Sequence, residues 1–159
     1  MSETLPPVLP AALARLIDDD ELTADGVAFQ LVTVRPDGWP HLSMISVGEL
    51  VTRGERGLRL ALWSESNATV NASATGKATL TTVADGVVYS LRLSLSGPMA
   101  IPSATYGTLA AFDARIEAVR ADVAPYAEVQ SGIRFRVHTP EDVLPRWAEV
   151  RALLSQAEF

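Results

Sequence analysis

Apolar and polar residues alternate with a period of two along most of the chain between Val27 and Ser96, which predicts β-strands with one buried face. The alternation stops at sequences typical of turns, such as residues 35–38 (Arg-Pro-Asp-Gly) and residues 85–86 (Asp-Gly). A last alternating stretch runs from Ile133 to His138 and is expected to close a small antiparallel barrel. The pattern predicts six strands, at 27–34, 41–51, 58–63, 77–83, 87–96 and 133–138.

A period of three to four residues predicts helices around these strands. The first lies at 11–17, and the second, at 64–74, begins with hydroxyl side chains suited to capping and stops before Gly76. A third is predicted from the apolar spacing of Leu109, Phe112, Ile116, Val119 and Val123. The last follows Thr139, with Pro145 expected to kink or delay it. We therefore expect one mainly β domain over 1–159, with a lead-in at 1–26, a barrel at 27–138 and a C-terminal helix at 139–159.

The composition argues against several classes of protein. A length of 159 residues with 48% hydrophobic residues fits one globular domain. The absence of cysteine excludes disulfides and thiol chemistry, and a cytoplasmic location is the expectation. A net charge of -6 without a basic cluster argues against nucleic-acid binding. The N-terminus resembles no signal peptide and no apolar run reaches membrane-spanning length, so no membrane partner is expected.

Few residues offer recognisable chemistry. His41 and His138 have no partners at metal-ligand spacing, so no metal site is predicted. Glycine-rich nucleotide loops and nucleophile elbows are absent from the sequence. The acidic run at 18–21 is interpreted as a solvated helix end rather than a cation site.

The junction between the third strand and the second helix is the strongest candidate site. The strand there delivers the chain into a helix that begins with Ser64, Ser66 and Asn67. Free N–H groups at a helix start attract anions, and hydroxyls add donors, so the junction is suited to a phosphate-bearing ligand. Ordinary capping by Ser64 or Ser66 is the alternative interpretation of the same residues.

The order of these elements resembles a known family. The turn at residues 37–41 (Asp-Gly-Trp-Pro-His), a strand with Ser43 and Ser46, and the hydroxyl-helix-asparagine pattern of Ser64, Ser66 and Asn71 are similar to the flavin-binding split-barrel family of pyridoxamine 5'-phosphate oxidase-like proteins. The likeness covers Val27 to about Ser96. The resemblance implies a mainly β, six-stranded antiparallel split barrel of the FMN-binding type.

The resemblance also implies a homodimer that binds FMN at its interface and acts as an oxidoreductase on a small-molecule redox substrate. The cofactor supplies the chemistry, and no side chain need act as an obligatory acid or base. By this likeness, the isoalloxazine or ribityl chain would be bordered by His41, Ser43, Met44, Ile45 and Ser46. The phosphate side would be approached by Trp63, Ser64, Ser66 and Asn67.

The chain departs from the family at the phosphate position. Members that hold FMN tightly commonly carry Arg and Lys after the helix-start serine, whereas this chain has Asn67 and Ala68. Each lost charge-assisted hydrogen bond is worth on the order of 1.5 to 3 kcal/mol. Two alternatives therefore stay open. One is a non-catalytic binding or structural dimer that has lost tight flavin binding, and the other is a relative that uses F420, FAD or haem.

Overall fold

The computed structural model describes residues 1–159 as ten β-strands, three α-helices and one 3-10 helix. The strands are β1 (Ser2–Leu5), β2 (Asp25–Val27), β3 (Phe29–Val34), β4 (Pro40–Ile45), β5 (Leu50–Arg53), β6 (Gly57–Trp63), β7 (Lys77–Ala84), β8 (Val87–Ser103), β9 (Gly107–Asp122) and β10 (Arg134–Arg136). The helices are α1 (Ala11–Ile17), α2 (Asn67–Thr75), α3 (Pro140–Gln156) and the 3-10 helix Val47–Glu49. None of the helices is long and apolar enough to cross a membrane.

Eight strands form one antiparallel sheet in the order β4-β3-β7-β8-β9-β6-β5, with β1 paired to β9. The edge strands β4 and β5 are joined through the 3-10 helix, and Ile45 and Leu50 from these two strands enter the same buried cluster. The sheet therefore curls around this core into a barrel that stays open between β4 and β5. The predicted mainly β split-barrel fold is confirmed.

Helices α1 and α2 pack against the inner face of the barrel sheet, and α3 packs against its outer face. Leu13 and Ile17 of α1 and Ala68 and Ala72 of α2 belong to the barrel core. On the outer side, Val150 and Leu154 of α3 join a second cluster with residues of β5, β6, β8 and β9. The part of the sheet formed by β5, β6 and the start of β9 is consequently buried on both faces.

The hairpin and helix-stop signals act as the sequence indicates. Asp85 and Gly86 both have positive φ, 51° and 76°, as the tight turn between β7 and β8 requires. Gly76 adopts the left-handed conformation at the end of α2, and its N–H donates to the carbonyl of Ala72. These local signals set the bounds of β7, β8 and the C-terminal end of α2.

The predicted helix at 109–123 is wrong, because this segment is strand β9, paired with β8 on one side and β6 on the other. Residues 109–112 are all buried because both faces of β9 are covered there, so alternation is lost. Further along, the pairing shifts from Arg92–Ala118 to Leu93–Ile116. This bulge leaves Glu117 unpaired and places Ile116 and Val119 three residues apart on the buried side, which imitates a helical period.

The predicted closing strand at 133–138 is also wrong in its role. Only Arg134–Arg136 is a strand, and it pairs with β2 in a separate two-stranded sheet. The barrel is completed by β9, while β8 continues beyond the predicted strand end at Ser96 as far as Ser103. With β1 added, the main sheet has eight strands rather than the expected six.

Candidate functional site

Strand β4, which carries four of the predicted site residues and leads into a fifth, Ser46, lies at an edge of the sheet and pairs only with β3. Leu42 and Met44 point to the outer side, where Met44 is 61% exposed. His41, Ser43 and Ile45 alternate with them on the inner face. Because side chains alternate along an extended strand, the predicted site residues of β4 are divided between its two faces, with Met44 on the outer face and the others on the inner face.

The inner face of β4 continues toward α2. His41 lies opposite Thr33 on β3, and Thr33 Oγ1 accepts a hydrogen bond of 3.1 Å from Nδ2 of Asn71 on α2. Thr33 and Asn71 are buried, whereas His41 is half-buried. This contact fixes α2 against the sheet beside His41.

Ser46 ends β4 and takes a structural role. Its side chain accepts a hydrogen bond from the Gly48 N–H, and its own N–H and Oγ both donate to Oε2 of Glu49, at 2.5 Å and 3.0 Å. These bonds form a capping box around the 3-10 helix. The Ser46 hydroxyl is therefore committed to this turn.

The junction of β6 and α2 holds the remaining predicted residues. The Ser66 hydroxyl caps α2 by accepting from the Thr69 N–H at 3.2 Å, and the Ser64 hydroxyl donates to the Thr108 carbonyl at 2.6 Å. Asn67 is exposed, and the N–H groups of Asn67 and Ala68 make no hydrogen bond within the protein. Ser66 therefore caps α2 while two N–H groups of the first turn stay free, since one hydroxyl satisfies only part of that turn.

No basic side chain stands at this junction in sequence, and the register places the exposed Arg92 on the outer face of β8, three strands away from β4. The cross-strand register aligns Leu42 with Val32, Val32 with Thr79, and Thr79 with Arg92. Arg92 is exposed on the same face as Leu42. Arg59, by contrast, is buried and donates hydrogen bonds to the carbonyls of Leu154 and Ser155 and to the Asp113 carboxylate. Its guanidinium is therefore engaged within the protein.

A cavity of about 60 Å³, which sequence reasoning missed, lies between the 3-10 helix, the end of β6, the β8–β9 turn and α3. Its principal side chains are Glu49, Trp63, Tyr106 and Trp147. Trp63 and Tyr106 meet edge to face with their ring centroids 5.1 Å apart. Of the predicted site residues only Trp63 lines this cavity, on the side of β6 covered by α3.

Glu49 is the one acidic side chain in that cavity. Burial raises the pKa of its carboxyl, and the two hydrogen bonds from Ser46 lower it, with burial the larger effect. Glu49 forms no salt bridge. The only sequence signal was the Ser46-Val47-Gly48-Glu49 capping pattern, which identifies a turn but not a cavity. The described chain contains no cluster of three or more potential metal ligands.

Comparison with known proteins places these features in a family. No family model matches the chain. It is 41% identical over 120 residues to the uncharacterised Bacillus subtilis protein YclD, covering 76% of this chain and 77% of YclD.

Solved structures share the fold at low sequence identity. A candidate pyridoxamine 5'-phosphate oxidase from Lactobacillus delbrueckii aligns with a TM-score of 0.55 at 15% identity, over 73% of this chain and 97% of that one. An F420 reductase aligns with a TM-score of 0.52 at 16% identity, over 70% of this chain and 98% of that one. This chain therefore belongs to the same family as YclD and has the split-barrel fold of pyridoxamine 5'-phosphate oxidase-like proteins.

Proposed function

We propose that the protein is a homodimeric flavin-dependent oxidoreductase that binds FMN at an interface built on β4. The observation that carries this proposal is an edge strand with exposed apolar side chains, Leu42 and Met44, next to a helix start with free N–H groups. The strand suits the ring and the partner subunit, and the helix start suits the phosphate. We further propose that residues 1–159 act as one domain.

The edge of the sheet supports a dimer. Leu42 is 58% exposed, and Trp39, in the preceding turn, is 72% exposed. Exposed apolar residues on an unpaired edge favour association, because burial removes them from water and covers free backbone groups. A second copy of the chain would cover both the exposed apolar side chains and the free backbone groups of this edge.

The helix start supports a phosphate site of neutral donors. The free N–H groups of Asn67 and Ala68 and the positive end of the α2 dipole favour an anion. The donor set therefore fits a flavin phosphate without the Arg and Lys of tight FMN binders.

In this proposal, bound FMN supplies two-electron chemistry and the chain supplies binding and the exclusion of water. Leu42 and Met44 would shield the ring from water together with the partner. His41, half-buried on the inner face, is in a position to donate a hydrogen bond to a bound group.

Cofactor binding is tested by adding purified protein to FMN and following the flavin absorption and fluorescence. Ser66→Asp should weaken FMN binding by about tenfold or more, because it sets a carboxylate beside the phosphate while aspartate still caps the helix. Ser73→Asp, with the same charge on the C-terminal half of α2, is the matched control and should bind normally. Equal affinity of both variants for FMN would show that the phosphate does not bind at this helix start. If the wild-type protein did not bind FMN at micromolar concentration, the proposal of an FMN enzyme would be refuted.

The dimer is tested separately by sedimentation velocity. Met44→Lys places a charge on the exposed edge and should give a monomer with an unchanged circular dichroism spectrum. Val123→Lys substitutes another exposed apolar side chain, next to Met1 rather than β4, and should stay dimeric. A wild-type monomer would contradict the interface directly.

A second candidate function is a binding or structural dimer without tight flavin. The observation that favours it is the absence of a basic side chain at Asn67 and Ala68. The same titration with FAD, F420 and haem distinguishes a change of cofactor from its loss. Binding of none of the four would favour the non-catalytic dimer.

A further inference from the structure

The cavity between α3 and the barrel combines aromatic walls with a carboxyl group. Trp63 lies at the end of β6, Tyr106 in the β8–β9 turn and Trp147 on α3, so three separate elements bring one ring each. Glu49, from the 3-10 helix, adds the acid. This convergence depends on the tertiary fold and lies on the α3 side of β6, whereas the proposed flavin contacts centre on β4 and the start of α2.

The Glu49 carboxyl is only half engaged. Both of its hydrogen bonds come from Ser46 and reach Oε2, and none reaches Oε1. No buried side-chain oxygen or nitrogen lacks a hydrogen-bond partner, so Oε1 retains contact with solvent. A carboxylate among aromatic and aliphatic groups without an ion-pair partner is a costly arrangement that a positively charged ligand would relieve.

The aromatic rings favour the same kind of ligand. Cations are attracted to the faces of tryptophan and tyrosine rings, and cages of such rings recognise alkylated ammonium groups. The guanidinium of Arg146 already lies 5.9 Å from the centroid of the Tyr106 ring, yet it forms no ion pair with Glu49. The carboxylate charge is therefore still available to a ligand.

The size of the cavity sets a limit on that ligand. About 60 Å³ is room for a small group of a few non-hydrogen atoms, since one water molecule already needs at least about 10 to 15 Å³. A trimethylammonium group has four non-hydrogen atoms and matches this volume. A flavin ring or a nucleotide base is too large to enter.

We propose that this cavity is a binding site for the head group of a small alkylated ammonium compound, with Glu49 as its counter-ion and Trp63, Tyr106 and Trp147 as its walls. The site shares only Trp63 with the predicted flavin contacts, and its test contains no flavin. Failure of one proposal therefore leaves the other standing.

The three tryptophans of the chain provide the assay. Choline chloride is titrated into nitrogen-15-labelled protein, and the three indole N–H resonances are followed by NMR. The resonances of Trp63 and Trp147 should shift with a saturable curve, while that of Trp39, in the turn before β4, stays in place. A titration with sodium chloride corrects for ionic strength.

The neutral isostere 3,3-dimethylbutan-1-ol separates charge from shape without any change to the protein. It should bind at least about tenfold more weakly than choline, because it cannot pair with Glu49. Equal binding of the two compounds, equal shifts of all three indoles, or no saturable shift would each overturn the proposal.

Two variants assign the charge to Glu49. Glu49→Gln keeps the shape and an acceptor for Ser46 and should weaken choline binding by about tenfold. Glu65→Gln removes an exposed carboxylate from the turn after β6 and should leave the affinity unchanged. Unaltered affinity in Glu49→Gln, with its indole spectrum otherwise intact, would overturn the assignment.

Discussion

Gly48 allows α3 to approach the barrel, and replacing it with alanine should destabilise the protein measurably. A methyl group built on Gly48 would overlap Cγ and Cδ1 of the Trp147 indole and lie 2.5 Å from Cδ2, where ordinary contacts are 3.4–4 Å. The indole would have to retreat by about 1 Å. It is buried and is held by the Phe135 ring, 5.8 Å away edge to face.

The magnitude follows from two opposing effects. Overpacking of this kind costs about 1–3 kcal/mol of unfolding free energy. Because the φ of Gly48 is not in the left-handed region, alanine also restricts the unfolded chain and returns about 0.4–1 kcal/mol. We expect a net loss of about 1–2 kcal/mol, and each kcal/mol lowers the melting temperature by about 2–4 °C at this chain length.

Urea unfolding followed by circular dichroism measures this loss, and a double-mutant cycle identifies its cause. Trp147→Leu removes the indole that the new methyl group meets, so Gly48→Ala should cost less than about 0.5 kcal/mol in that background. A similar cost in both backgrounds, or no cost in the wild type, would show that close packing of Trp147 on Gly48 is not what holds α3 in place.

Three further predictions concern buried polar groups. The raised pKa of Glu49 means that the folded protein binds a proton more tightly than the unfolded chain, so its contribution to stability is complete below the unfolded pKa and declines as pH rises toward the folded one. Glu49→Gln should remove that decline from urea unfolding measured at a series of pH values. Asn71→Ala should cost about 1–3 kcal/mol by leaving Thr33 without its partner, and less in a Thr33→Val background. Arg59→Met should speed amide hydrogen exchange in the last turn of α3, whose carbonyls it releases, while the start of α3 keeps its protection.

Several elements were readable from the sequence because their signals are local. Apolar residues alternate along the sequence in β6, β7 and the first half of β8, and the Asp85-Gly86 turn needs only two residues with positive φ. The capping of α2 by Ser66 and its stop at Gly76 depend on groups within one helical turn. The proline at the first position of α3 is a signal of the same kind.

Other elements were not readable because their signals are not local. The pattern of β9 is shaped by cover on both faces and by the bulge at Glu117, and neither is visible until β6, β8 and α3 are in place. The candidate site shows the same limit. The sequence predicted Ser66 and Trp63 as site residues, but Tyr106 and Trp147 line one cavity with Glu49 only because distant segments pack together.

By itself, the sequence determined the mainly β class, most strand positions and the caps of α2, because backbone periodicity and turn chemistry act over a few residues. The tertiary structure alone decided which strands neighbour one another, which face of β4 meets solvent, that Arg59 secures the end of α3, and that Glu49 lies among aromatic rings. Those outcomes arise from packing between segments far apart in the chain. Glu49, for example, shares its cavity with Trp63, Tyr106 and Trp147, which lie far from it in the sequence.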